Sequence, residues 1–109
     1  MRVEALLGFA RRVGALAVGS QAVTEAIRKG KAQLLLVSLD ASSRTWEKHH
    51  ASAVEKNIDI VRYGEKEQLG KILGHSGEVA VLAVTRVQFA KEILRLTAEK
   101  MDGGNGRCL

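Results

Sequence analysis

The chain has 109 residues, of which 46% are hydrophobic and 27% charged, with a formal net charge of +5. This length suits one domain with its own hydrophobic core, and no uncharged run is long enough to cross a membrane. A single cysteine, Cys108, excludes an internal disulfide framework, and no secretory signal pattern is expected at the N-terminus. We therefore expect a cytoplasmic protein with one domain over residues 1–101 and a flexible, glycine-rich tail at 102–109.

The positive charge is unevenly distributed along the chain. Residues 1–31 contain six basic and two acidic side chains, whereas the remaining 78 residues contain eleven basic and ten acidic ones. This asymmetry favours an anionic partner near the first third of the fold. An ordinary solvated surface is the alternative explanation.

The sequence of the first half of the chain predicts two helices and two strands. Apolar residues at positions 3, 6, 7 and 10 predict an amphipathic helix that Gly14 ends, and 15–18 can form a short strand. Gly19 and a capping Ser20 open a second helix, which Gly30 stops. The uninterrupted apolar run Leu34–Val37 predicts a central strand covered on both faces.

The second half continues the alternation. We predict a helix that runs to about residue 56, a strand over 58–63, a short helix over 65–73, a loop at 74–77, a strand over 79–84 and a final helix. Trp46, Ala53 and one of His49 or His50 share a side of the third helix. Because helices and strands alternate with short connections, the class is α/β, with one sheet of about four strands between helical layers.

Residues that could support catalysis or bind metal show no specific spacing. His49 and His50, with Glu47 and His75, lack the spacing of a metal site, so a surface or helix-edge position is expected for the two adjacent histidines. No nucleophile elbow, Walker sequence or dinucleotide fingerprint is present. We therefore expect no enzymatic activity, no metal and no cofactor.

A nucleic-acid site is the remaining hypothesis, and it uses two loops. At the helix opening, backbone amides and the side chains of Ser20 and Gln21 are available to base edges or phosphates. The loop 74–77 is predicted to lie beside this opening. Only four residues are aromatic, which argues against a stacking platform for single strands. The alternative is that Gly19 and Ser20 only cap the helix.

The ordered motifs resemble the ribosomal protein L-seven-Ae/L-thirty-e superfamily, most closely its bacterial YlxQ-like branch. They lie at 6–14, 18–19, 22–23, 26–32, 36–42, 69–70, 79–84 and 89–91, so that the resemblance covers about residues 3–96. It implies a three-layer α/β/α sandwich with a mixed sheet. It also implies binding to kink-turns, which are sharply bent RNA elements with sheared G·A pairs, and association with the ribosome.

The family's RNA-binding helix opens with glycine, any residue, asparagine and glutamate, followed by lysine three positions further on. Here Gly19 keeps the glycine, while Gln21, Ala22 and Glu25 stand at the asparagine, glutamate and lysine positions. Glutamine still offers a donor and an acceptor, but alanine accepts no hydrogen bond from a base. A carboxylate at the lysine position repels phosphate.

The leading hypothesis is a non-enzymatic, ribosome-associated protein that recognises structured, kink-turn-like RNA. Its predicted RNA-binding residues are Gly19, Ser20, Gln21, Thr24, Arg28, Lys31, Gly74, His75 and Ser76. The expected partners are structured RNA, ribosomal RNA included, and ribosomal or translation-related proteins, without membrane contact. The alternative is a protein-interaction module on the same fold, which Ala22 and Glu25 favour. A small enzyme using His75 or His49 is a third, remote hypothesis.

Overall fold

The computed structural model describes residues 2–100, with side chains to residue 98; the tail predicted at 102–109 lies outside the described residues. The elements follow in the order α1 (Val3–Arg12), β1 (Leu16–Val18), α2 (Ser20–Arg28), β2 (Leu34–Val37), α3 (Ser43–Lys56), β3 (Asp59–Arg62), α4 (Lys66–Ile72), β4 (Val81–Val84) and α5 (Val87–Lys100). None of the helices in this described part is long and apolar enough to span a membrane.

The four strands form one mixed sheet in the order β1-β4-β2-β3. β4 pairs antiparallel with both β1 and β2, whereas β2 and β3 are parallel. In this register Val84 lies between Leu16 and Leu34. The predicted mixed sheet of about four strands is confirmed.

Helices cover both faces of the sheet. Side chains alternate between the faces of a strand, so Leu34 and Leu36 point to one side and Leu35 and Val37 to the other. The first pair packs with apolar residues of α1, α4 and α5, and the second pair with those of α2 and α3. All four residues of β2 are buried, which confirms the central strand and the three-layer α/β/α sandwich.

The N-terminal helix shows how the hydrophobic pattern produces this packing. Val3, Leu6, Leu7 and Ala10 recur at helical spacing, and all four are buried in the described structure. Burying each large aliphatic side chain contributes about 1.5–3 kcal/mol relative to leaving it exposed. The helix ends at Arg12, just before Gly14 adopts φ 76°.

The predicted boundaries of β4, α4 and β3 differ from the observed ones. β4 begins at Val81 rather than at Val79, because the amide of Val79 donates to the carbonyl of Lys66 instead of to a strand. α4 begins one residue later than predicted, because Glu65 is its N-cap and forms a capping box with Gln68. β3 is also shorter, at Asp59–Arg62 rather than 58–63.

The sheet has two ends of different composition. The "loop end" comprises segments 19–22, 38–42, 63–65 and 78–80, which the bonds Gly19 N–Val81 O (2.9 Å), Ser38 N–Ala80 O (2.9 Å) and Leu39 N–Gly64 O (2.7 Å) hold together. The "basic end" comprises 11–15, 29–33 and 85–86, which the bonds Thr85 N–Ala15 O and Gln33 N–Val84 O, both 2.8 Å, bring alongside each other.

Candidate nucleic-acid interface

Gly19 opens α2 in a backbone conformation that favours glycine. It is the N-cap residue, with φ 95° and ψ 158°, and a side chain at this φ would be strained. No side chain caps this helix, so the prediction that Ser20 is the cap was wrong: Ser20 is the first helical residue. The first amides of a helix lack intrahelical partners, so the opening presents N–H donors. It is thus suited to anionic or acceptor groups.

Ser20 contacts two residues of α3 that the sequence pattern did not associate with it. Its Oγ lies 2.9 Å from Nε2 of His49, and the Nζ of Lys48 donates to it at 3.4 Å. His49 is only 1% exposed, so the surface or helix-edge position expected for it was wrong. Burial, and then the charge of Lys48, lower the pKa of His49, which favours the neutral imidazole.

Gln21, Ala22 and Glu25 line a shallow surface depression at the start of α2, together with Val18, Gly19 and Ser20. Its volume is about 590 Å³. The exposed side chain of Gln21 has both a donor and an acceptor there. Thr24 is also exposed, one turn beyond Ser20 on α2.

The carboxylate of Glu25 is neutralised by its own helix. Arg28 donates to it from Nε at 3.2 Å and from Nη2 at 2.5 Å, and Lys29 Nζ lies 3.5 Å away. The hydrogen bond from Arg28, assisted by the charges of both cations, lowers the pKa of Glu25. The anion at the family's lysine position is therefore paired.

Arg28 and Lys31 lie far from the opening of α2. Arg28 is the last residue of this helix and Lys31 follows it at the basic end. The eight-residue step from Ser20 to Arg28 corresponds to about 12 Å along the helix axis. The predicted site residues of α2 and its following turn therefore divide between the two ends of the sheet.

The loop Gly74–Gly77 packs on the C-terminal half of α4 and leads through Val79 to β4, whose first residue, Val81, accepts from the amide of Gly19. Its position is fixed by the bond from His75 N to Gly70 O, 2.9 Å long, and the Gly77 amide donates to His75 Nδ1 at 3.2 Å. His75, Ser76 and Gly77 border a second depression of about 260 Å³. This depression shares no lining residue with the one at α2. The two predicted segments thus border separate depressions.

Both signs of charge occur around the loop end. Asp40, Glu65 and Glu78 lie in its segments, with Lys66 adjacent. Asp40 Oδ1 accepts from the amide of Lys66 at 2.9 Å; burial opposes ionisation, but this bond helps to lower the pKa of Asp40. The Lys66 ammonium in turn lies 3.9 Å from Glu78. The loop end therefore presents no uniform positive surface.

Arg62 lies where the loop end meets α3. Its Nη2 donates to the carbonyls of Ser38 and Leu39 at 3.2 Å each, and its guanidinium carbon lies 4.7 Å from the ring centre of Trp46. The imidazole of His50 stacks on the same indole at 5.0 Å. These contacts fix the end of β3 against α3.

The described residues contain no group of three or more side chains suited to holding a metal ion. Ser20 and His49 have the separation of a nucleophile and its base, but a triad needs a third group that orients the imidazole. The Nδ1 of His49 is buried without a hydrogen-bond partner. The pair consequently lacks that orienting group.

The sandwich and the glycine-opened helix define a class of small α/β/α domains. Residues 1–94 match the Ribosomal protein L7Ae/L30e/S12e/Gadd45 family, and the chain belongs to this family. It is 32% identical over 91 residues to the RNA-binding protein YlxQ of Bacillus subtilis, an alignment that covers 84% of this chain and 90% of the relative.

Two solved structures share the fold. A protein of unknown function from Bacillus halodurans superposes with a TM-score of 0.82 at 28% identity, over 86% of this chain and 94% of that one. The 15.5kD RNA binding protein of Giardia lamblia superposes with a TM-score of 0.72 at 20% identity, over 84% of this chain and 79% of that one. At 20% identity, the likeness to the Giardia lamblia protein concerns the fold alone.

Proposed function

We propose that this protein is a non-enzymatic RNA-binding protein that recognises structured, kink-turn-like RNA through its loop end. The observation that carries the proposal is the opening of α2, where unpartnered first-turn amides, Ser20 and Gln21 lie beside the start of β4, the strand that the loop Gly74–Gly77 leads into. Membership of the family and the name of the Bacillus subtilis relative support RNA as the ligand.

The chemistry of the opening matches exposed groups of folded RNA. Helix amides and the ammonium of Lys48 are donors, so they suit phosphate oxygens or acceptor atoms on base edges. Gln21 adds a side chain that both donates and accepts, as reading a base edge requires. In this proposal Ser20 and Gln21 contact bases, and Thr24 supports them.

The other predicted residues have separate roles. Gly74, His75 and Ser76 close the second side of the bound RNA, while Arg28 and Lys31 contact phosphates further along it. The pairing of Glu25 with Arg28 and Lys29 removes part of the repulsion expected from a carboxylate beside phosphate. Association with the ribosome, with translation proteins as neighbours in the cytoplasm, is the setting that we propose.

Gln21→Ala tests the proposal most directly. We expect weaker binding to a kink-turn RNA by between about fivefold and about 150-fold, since one bidentate base contact contributes about 1–3 kcal/mol. Binding to a plain duplex of the same length should change little. The measurement is a titration of both RNAs at two salt concentrations.

The matched control is Gln88→Ala, because Gln88 is an exposed glutamine near the start of α5, outside the loop-end segments. It should bind both RNAs like the wild type. Equal and weak binding of kink-turn and duplex by the wild type would remove the claim of specific recognition.

A protein-interaction module is the second candidate function. The mixed charge of the loop end, with Asp40, Glu65 and Glu78 in its segments, favours this candidate. A pull-down with and without ribonuclease separates the two functions. Protein partners that survive the nuclease support the module, whereas ribosomal RNA that is lost on treatment supports RNA binding.

A further inference from the structure

We infer that the basic end is a second RNA-contacting surface, which binds the phosphate backbone of a segment beyond the one held at the loop end. The inference rests on the proposed function for the identity of the ligand. It goes beyond that function because it proposes a second RNA-contacting surface, at the opposite end of the sheet. The residues of this surface do not read bases.

The sheet register gathers the cations of the basic end. Val84 is paired on one side with Leu16 and on the other with Leu34, so the segments that precede these two residues flank Arg86. Neighbouring strands are about 5 Å apart, so the two flanking segments are separated by only about 10 Å. Arg86 is held in place by a bond from its Nη2 to the carbonyl of Val13, 3.2 Å long.

The basic end and the last residues of α2, 25–28, together contain six cations and one carboxylate. The cations are Arg11, Arg12, Arg28, Lys29, Lys31 and Arg86, and all six are exposed. The carboxylate is Glu25, which is already paired with two of them. The other four cations, Arg11, Arg12, Lys31 and Arg86, are not paired with Glu25.

The chemistry of this surface suits a polyanion. Arginine and lysine side chains donate hydrogen bonds and accept none, and clustered cations bind phosphates by releasing condensed counterions. The positive surface covers the ends of β1, β4 and β2 and stops at β3, because Lys56 and Asp59 near the start of β3 have opposite signs. It contrasts with the mixed charge of the loop end, so the two ends have different tasks. The loop end selects the RNA structure, and the basic end adds affinity without reading sequence.

The spacing of the two ends determines which RNA reaches both. Gly19 and Lys29 are separated by about 15 Å along the axis of α2. A short RNA that fills the loop end does not extend to the basic end. An RNA with a longer flanking stem extends to the basic end. Contact with the basic end therefore depends on the length of the stem.

The test compares wild type with the double variant Arg11→Glu/Arg12→Glu on a kink-turn RNA, the same RNA with its stem extended by one helical turn, and a plain duplex. We expect the wild type to gain affinity on extension and the variant to gain less. In a plot of log affinity against log salt, the slope on the extended RNA should be shallower by about 1–2 in the variant. The preference for kink-turn over duplex should persist.

Lys56→Glu/Arg95→Glu is the control, since it makes the same change in net charge at exposed cations outside the basic end. The neutral variant Arg11→Gln/Arg12→Gln/Lys31→Gln repeats the test without placing anions at a helix C-terminus, and thermal unfolding verifies that each variant folds. Slopes equal to that of the control would overturn the inference. If the wild type does not prefer the kink-turn, the proposed function fails, while the slope on the duplex still tests the basic end.

Discussion

His49 shows how a single buried side chain organises the opening of α2. Its imidazole is 1% exposed, and Nε2 reaches Ser20 Oγ at 2.9 Å. Burying a polar ring is costly unless it is hydrogen-bonded, so this contact offsets part of the cost and fixes the hydroxyl of Ser20 at the helix N-terminus. The orientation of Ser20 therefore depends on a residue 29 positions away in the sequence.

The protonation of His49 should make the stability of the protein sensitive to mild acid. Burial, assisted by Lys48, lowers the pKa of His49 in the folded state, so the unfolded chain binds the extra proton more readily. The stabilisation is fully present above the ordinary histidine pKa of about 6.5, and it decreases as the pH falls below that value. Thermal midpoints between about pH 7.5 and about pH 5.5 should show this decrease.

His49→Gln keeps a polar group near Ser20 but does not titrate, so its midpoints should fall less over the same pH range. Ser20→Ala is the control: it leaves the imidazole buried and should retain the dependence of the wild type. Parallel profiles for wild type and His49→Gln would refute this explanation.

At the scale of the element, α4 positions the loop Gly74–Gly77 because Gly70 of this helix has no side chain. A Cβ added at Gly70 would lie 2.2 Å from the carbonyl oxygen of Gly77, which is closer than atoms can approach. The glycine thus allows the loop to pack directly on the helix, at a cost in helix propensity of about 0.8–1 kcal/mol relative to alanine. The sequence shows the two glycines but not that they touch.

Gly70→Ala should destabilise the protein. The displacement of the loop should cost about 1–3 kcal/mol, and the better helix propensity of alanine offsets only part of this. Binding of kink-turn RNA should also weaken, because the loop moves. The free energy of unfolding, measured in urea, checks the first expectation, and the RNA titration checks the second.

Gly8→Ala is the matched control, because Gly8 lies inside α1 and an added Cβ would meet its nearest atom, Ile72 O, at an ordinary 3.8 Å. It should stabilise the protein by up to about 1 kcal/mol. A Gly70→Ala protein as stable as Gly8→Ala would contradict the packing argument.

At the scale of the whole molecule, one hydrogen bond connects the N-terminal helix to the end of β3. The hydroxyl of Tyr63 donates to the carboxylate of Glu4 on α1. Burial and this hydrogen bond raise the pKa of Tyr63 to about 12. A carboxylate acceptor stabilises the neutral phenol, because ionisation would place two anions side by side.

Alkaline pH should therefore weaken the fold through this contact. Because the pKa is raised on folding, the stabilisation is fully present below the ordinary tyrosine value of about 10 and is lost as the pH rises toward 12. Tyr63 is the single tyrosine of the chain, so tyrosinate absorbance reports this residue directly. Tyr63→Phe should lose about 1 kcal/mol at neutral pH and show a flatter alkaline limb. Tyrosinate appearing near the ordinary value in the folded protein would contradict it.

The sequence alone determined the elements and the fold class, because both follow from local periodicity. Val3, Leu6, Leu7 and Ala10 mark the buried stripe of α1, and the run Leu34–Val37 marks a strand buried on both faces. Gly19 was identifiable as the start of α2 for the same local reason. These features depend on neighbours within one or two turns, so they can be recognised without coordinates.

Only the tertiary structure decided which of these features share a surface. The contact of Ser20 with Lys48 and His49 and the packing of Gly70 on Gly77 depend on where separate elements pack. The same holds for Arg28 and Lys31, which follow the opening of α2 closely in sequence but lie at the other end of the sheet. The physical reason is that a helix carries the chain about 1.5 Å per residue along its axis, while the sheet brings distant segments within about 5 Å.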